Sequence, residues 1–158
     1  MDIFIRRVGH APKRPSLKEL TAKSKFILKV LELDNVELSI YITDDDEMKR
    51  LNRIYRNIDK STNVLAFPLE DLPSKQGSKV VILGDVVISF ETAKQEAKSE
   101  SILYSDKLYQ LIIHGIVHLA GYDHEISEAE FMQSMELENR LFAKVKERFR
   151  KNIFKATH

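Results

Sequence analysis

Apolar and polar residues alternate from Val36 to Thr43, with Val36, Leu38, Ile40 and Ile42 on one side, the period of a half-buried strand. Upstream, Ile3 to Val8 predicts a short strand and Ser16 to Leu33 a helix. Ser16 followed by Glu19 fits a capping box, and Leu17, Leu20, Ile27, Leu28 and Leu31 fall on one apolar face. Thr43 then starts an acidic turn (Asp44, Asp45, Asp46, Glu47) that suits the positive end of a helix running to about Arg56. Val64 to Phe67, stopped by Pro68, reads as a strand. Val80 to Ser89 is a nearly continuous β-branched run, as in a strand buried on both faces. Between them Glu70 to Ser78 is a polar loop, so the two strands should form a hairpin. The rest is helical: about Glu91 to Ser99, Ser105 to Ala120, and Ser127 to about Arg150. Ser127 and Glu130 make a second capping box, and the tail beyond Asn152 should fray. The order β-α-β-α-β-β-α-α-α predicts an α+β fold, a small mixed four-stranded sheet packed by about five helices. We expect one domain over residues 1–158.

Composition narrows the class. Apolar residues make up 43% of the chain and charged residues 31%, which suits a globular core rather than disorder. There is no cysteine, so disulfides and thiolate metal sites are excluded. No apolar run approaches the roughly 20 residues of a membrane span, and the charged start from Met1 to Val8 is no signal peptide. With a net charge of +1, any binding of nucleic acid must come from a local patch.

The candidate chemistry lies in HGIVHLAGYDH, residues 114–124, which holds three of the five histidines. His114 and His118 are four residues apart, so a helix carries both imidazoles on one face. Gly121 can end that helix in the left-handed conformation, and the turn through Tyr122 and Asp123 can bring His124 back. Three neutral imidazoles suit zinc and leave a fourth position open, the mark of a catalytic site. The metal site is thus expected on a helix-turn segment, with one zinc ion per chain. The spacing equals that of the metzincin proteases, but Gly115 stands where their general-base glutamate belongs. Peptide hydrolysis is therefore ranked low. Asp123 can orient a ligand imidazole or simply stabilise the turn. Asp85, inside an apolar strand, can do the same from behind the ligands or bond nearby backbone, and the second is favoured. His10 and His158 have no comparable partners and receive no role.

The helix after Thr43 carries Lys49, Arg50, Arg53 and Arg56, of which Arg53 and Arg56 share a face. The planar fork of an arginine matches phosphate oxygens, although most helical arginines simply face water. The segments LNRIYRNIDKSTNVLAFP (51–68), LGDVVIS (83–89) and HGIVHLAGYDH (114–124) together resemble the YbeY family, bacterial zinc-dependent endoribonucleases of ribosomal RNA maturation. The resemblance implies His114, His118 and His124 as metal ligands and Arg56, in the Y-R-x-x-D-x-x-T pattern, as the catalytic arginine. Where the family usually reads T-D-V-L-S-F-P, this chain has Asn63 and Ala66, which removes an acid and a hydroxyl beside the proposed site.

The resemblance further implies cleavage of single-stranded RNA, ribosomal RNA precursors included, with processing at the 3′ end of the small-subunit RNA and ribosome quality control. Zinc would polarise a phosphate oxygen or activate water, and Arg56 would stabilise charge. Partners would be that RNA and the ribosome, and the location cytoplasmic. Lys49, Arg50 and Arg53 would contact RNA. The basic tail (Lys144, Lys146, Arg148, Arg150, Lys151) is better read as a solvated face, with Glu138 and Glu147 as balancing charges. Two alternatives stand beside the nuclease: a metallohydrolase of another substrate, and a non-catalytic zinc-containing ribosome-associated factor.

Overall fold

The structure is a computed structural model that describes residues 1–69, 81–121 and 128–156. Its elements follow the expected order: β1 (Asp2–Arg7), α1 (Leu17–Val30), β2 (Val36–Thr43), α2 (Asp45–Arg56), β3 (Val64–Pro68), β4 (Val81–Ser89), α3 (Phe90–Glu100), α4 (Tyr104–Leu119) and α5 (Glu128–Ala156). The four strands form one mixed sheet in the order β1-β2-β4-β3. β1, β2 and β4 run parallel, and β3 pairs antiparallel with β4. The α+β expectation therefore holds. So does the antiparallel pairing of the last two strands; the expected loop between them lies outside the described residues.

Strand alternation sorts the helices onto the two faces. Leu38, Ile40 and Ile42 of β2 and Val86 and Ile88 of β4 point to one side, into the main core with α1, α3, α4 and α5. The residues between them point the other way, where Val87 and Leu65 pack with Met48 of α2, next to Tyr41 and Phe67. Among the described residues, α2 is the helix packed on that face.

Local signals mostly placed the ends. Ser16 caps α1 by accepting from the Glu19 N–H at 3.1 Å. Leu17, assigned to the apolar face, is instead 41% exposed, because the first turn of α1 overhangs the core that Leu20, Ile27 and Leu28 fill. Thr43 is the buried last residue of β2, and Asp44 caps α2 in its place, accepting from Glu47 N–H at 2.9 Å. The backbone of α5 stays helical to Ala156, past the expected fraying point at Asn152. The Ser127 cap lies outside the described residues.

Asp45 ties α2 to the sheet and to α3. One of its carboxylate oxygens accepts from the hydroxyls of Ser89 (2.5 Å), Thr92 (2.6 Å) and Ser61 (3.1 Å). Burial alone would push this carboxyl up; the three hydroxyl bonds outweigh it and hold it below the ordinary value of 3.8. A carboxyl depressed by folding stabilises the fold fully above its unfolded pKa, and that contribution fades as pH falls through the folded value. Asp45→Asn should therefore be less stable than wild type at neutral pH, and the gap should close below 3.8. Urea denaturation at a series of pH values checks this, and a gap independent of pH would contradict it.

Candidate functional site

α4 lies across β4 and β3 with almost no clearance at Gly115. A Cβ there would sit 2.7 and 2.8 Å from the two methyls of Val86. Position 115 therefore faces the sheet. One residue earlier, His114 points sideways past β3 into a cavity of about 280 Å³, whose walls include Asn63, Lys107, Gln110, Glu138 and Asn139. His118 follows one turn on along the same helix. The helix stops at Ala120, and Gly121 takes a positive φ of 100°, with its N–H on the carbonyl of His118 at 3.1 Å. That is the left-handed stop expected from the sequence. Residues 122–127, with Asp123 and His124, lie outside the described residues.

Glu138, assigned to surface charge balance, does something else. Its Oε1 is 2.7 Å from Nδ1 of His114. A carboxylate accepts, so Nδ1 carries the proton and Nε2 is the ring nitrogen with the lone pair. No feature local to Glu138 marked it: the contact joins α5 to α4 across 24 residues.

Asn63 and Lys107 of the cavity wall belong to a polar chain that runs on to α3. Asn63 donates to Glu96 of α3 at 2.9 Å. Lys107, nearly buried, donates to Glu100 at 2.7 Å and lies 3.7 Å from Glu96. An aspartate at position 63 would set a second carboxylate against Glu96; the asparagine of this chain supplies a donor instead. Ala66 is buried in β3 opposite Val86, where it helps admit α4.

Arg56 is the exposed last residue of α2, on the far face of the sheet. Among the described residues lining the cavity of His114, Arg56 is absent. The register nevertheless relates the two. The Tyr55 ring lies 5.2 Å from that of Phe67, and Phe67 pairs with Asp85. The adjoining Gly84 stands against Leu119 of α4. Arg56 and the last turn of α4 are thus at one level of the sheet, with edge strand β3 between them. Asp85 does not stand behind the histidines: it lines a groove on the face of α2. Arg50 is paired with Glu47, and Lys146 with Asp106 at 3.0 Å. His10 lies 3.1 Å from Asp44, exposed, away from the cavity.

Two imidazoles lie one turn apart on a helix, one of them bonded to a carboxylate at a cavity, and such donors are of a kind that can hold a divalent metal. The comparisons make it particular. Residues 12–146 match the sequence model of the family described as Endoribonuclease YbeY, and the chain belongs to that family. It is 45% identical over 123 residues to the endoribonuclease YbeY of Persephonella marina, covering 78% of this chain and 79% of that one. It is 44% identical over 134 residues to that of Aquifex aeolicus, covering 84% and 87%. The solution structure of TM1509 from Thermotoga maritima superposes with a TM-score of 0.66 at 28% identity, over 95% of this chain and 93% of that one. The chain is thus a nuclease by family. Among the described residues, no helix is long and apolar enough to cross a membrane.

Proposed function

We propose that this protein is a zinc-dependent endoribonuclease that cuts single-stranded RNA, ribosomal RNA precursors among them, in the cytoplasm and in association with the ribosome. His114, His118 and His124 would hold the metal, and Arg56 would stabilise charge on the phosphate. The observation that carries this is the Glu138–His114 hydrogen bond of 2.7 Å at the cavity. Metal-binding histidines regularly carry such a partner, which sets the tautomer and raises the basicity of the free nitrogen. A bound zinc ion supplies a Lewis acid and a fixed positive charge beside the phosphodiester. Glu138 keeps the proton on Nδ1, and the packing of Gly115 on Val86 keeps the helix, and so the imidazoles, in place. The guanidinium of Arg56 offers two parallel N–H donors to non-bridging phosphate oxygens.

The test is zinc content and RNA cleavage measured on the same preparations. Wild type should hold one zinc and cut unstructured RNA while leaving casein intact. His114→Ala should lose both metal and cleavage. Glu138→Gln should keep the fold yet bind zinc about 10- to 100-fold more weakly, read by competition with a chelating dye. Wild type that holds zinc but cuts no RNA would overturn the nuclease reading in favour of a binding factor. Unchanged zinc affinity in Glu138→Gln would remove the role given to that carboxylate.

A further inference from the structure

Among the described residues, α2 covers only part of its face of the sheet. The register sets Phe4, Ser39, Asp85 and Phe67 in one row across all four strands. Adjacent strands are about 4.8 Å apart, so the row spans on the order of 14 Å. In the next row Arg6 stands beside Tyr41, with its guanidinium 4.3 Å over the ring. These rows line a groove of about 740 Å³ between the sheet and α2, larger than the cavity of His114. Its aromatic rings are open to solvent at both ends: Phe4 is 56% exposed and Tyr55 is 66% exposed.

We propose that this groove is a stacking platform for the flank of the single-stranded RNA substrate, with bases resting on Phe4, on Arg6 over Tyr41, and on Tyr55 beside Phe67. The proposal rests on the nuclease reading above. Planar rings and guanidinium planes at intervals across a sheet are what unstacked bases bind, about two or three at a time. Charge sets the direction of the strand's faces. Asp85 in the groove repels phosphate but can accept from the amino groups of bases, so bases point in. The phosphates then lie outward, toward solvent and the exposed Arg53 of α2. The groove also leads to the site: Tyr55 adjoins Arg56, and Phe67 lies on β3, the edge across which α4 carries the histidines. A strand leaving the platform over this edge would pass from Arg56 toward the last turn of α4, which carries His118.

The experiment is binding of fluorescently labelled, unstructured RNA by the full-length, zinc-loaded protein, in chelator-free buffer, under single-turnover times too short for cleavage. Strands of about 5 and about 20 nucleotides are compared, since the platform adds contacts that only the longer strand reaches. Phe4→Ala and Tyr55→Leu should each weaken binding of the longer strand about 5- to 100-fold, with the zinc content and thermal midpoint of wild type. Tyr55→Phe, which keeps the ring, should restore it. Lys18→Gln, on α1 of the opposite face, serves as the control and should bind like wild type. If wild type prefers the longer strand and both ring variants keep that preference in full, the platform is wrong, the face serves some other partner, and the nuclease reading survives. If wild type binds neither strand and cuts no RNA, the nuclease reading itself has failed and takes the platform with it.

Discussion

Gly115→Glu, the single change that would recreate the protease-type motif, should yield a chain that does not fold. Even a methyl group at position 115 would lie 2.7 and 2.8 Å from the Val86 methyls. Val86 cannot retreat, because it is fully buried in a strand paired on both sides. Overpacking of this kind costs about 1–3 kcal/mol, which is the expected loss for Gly115→Ala. Glutamate adds a carboxylate buried against apolar side chains, worth several kcal/mol more. The sum is comparable to the whole stability of a small domain, about 5–15 kcal/mol. Denaturant unfolding of Gly115→Ala and the solubility of Gly115→Glu read the two effects. Gly115→Ala combined with Val86→Ala should cost less than the sum of the two single losses, since Val86→Ala opens the space that the methyl needs. A folded Gly115→Glu with an unshifted midpoint would show that α4 does not sit on β4 as described. The same geometry gives a physical reason against peptidase chemistry: a glutamate after the first histidine would face Val86, not the cavity.

Arg56→Ala should lower kcat for RNA cleavage by about 100- to 1,000-fold, the usual effect of removing one preorganised donor to a charged transition state. Zinc content and stability should hold, because Arg56 is exposed at the end of α2 and the turn that follows is closed by Asn57 in the left-handed conformation. Arg56→Lys keeps the charge but loses the paired donors, so it should restore only part of the rate. The split between kcat and KM is the deciding readout. A loss confined to KM would make Arg56 a binding contact for the phosphate chain. Equal rates for wild type and Arg56→Ala would remove it from the chemistry, and would fit the fact that it stands across β3 from the cavity rather than in its wall.

Where periodicity is local, the sequence was readable. Val36, Leu38 and Ile40 alternate and are buried as expected, and the order of all nine elements follows from such runs. The ends blurred where neighbouring residues compete for one role. Thr43 and Asp44 can both cap a helix, and the sheet takes Thr43 because it pairs with Ser89 of β4, next to the Ile42–Ile88 pair. Leu17 looked apolar enough to be core, yet how far α1 reaches over the sheet is not written in its own pattern.

The candidate site divides in the same way. Helical spacing of His114 and His118, and the left-handed stop at Gly121, are properties of a few consecutive residues, and the chain alone determined them. The contacts of Glu138, Asp85, Gly115 and Tyr55 were decided by packing. Glu138 meets His114 because α5 folds back on α4; Asp85 falls on the groove face because β4 is central and its alternation is locked by neighbours on both sides. Gly115 matters because α4 crosses Val86 there, and Tyr55 because α2 brings it to Phe67. Local spacing fixes which side chains share a face of their own element. Which partner that face meets depends on strand order and helix placement, and these arise from the burial of the whole apolar surface at once.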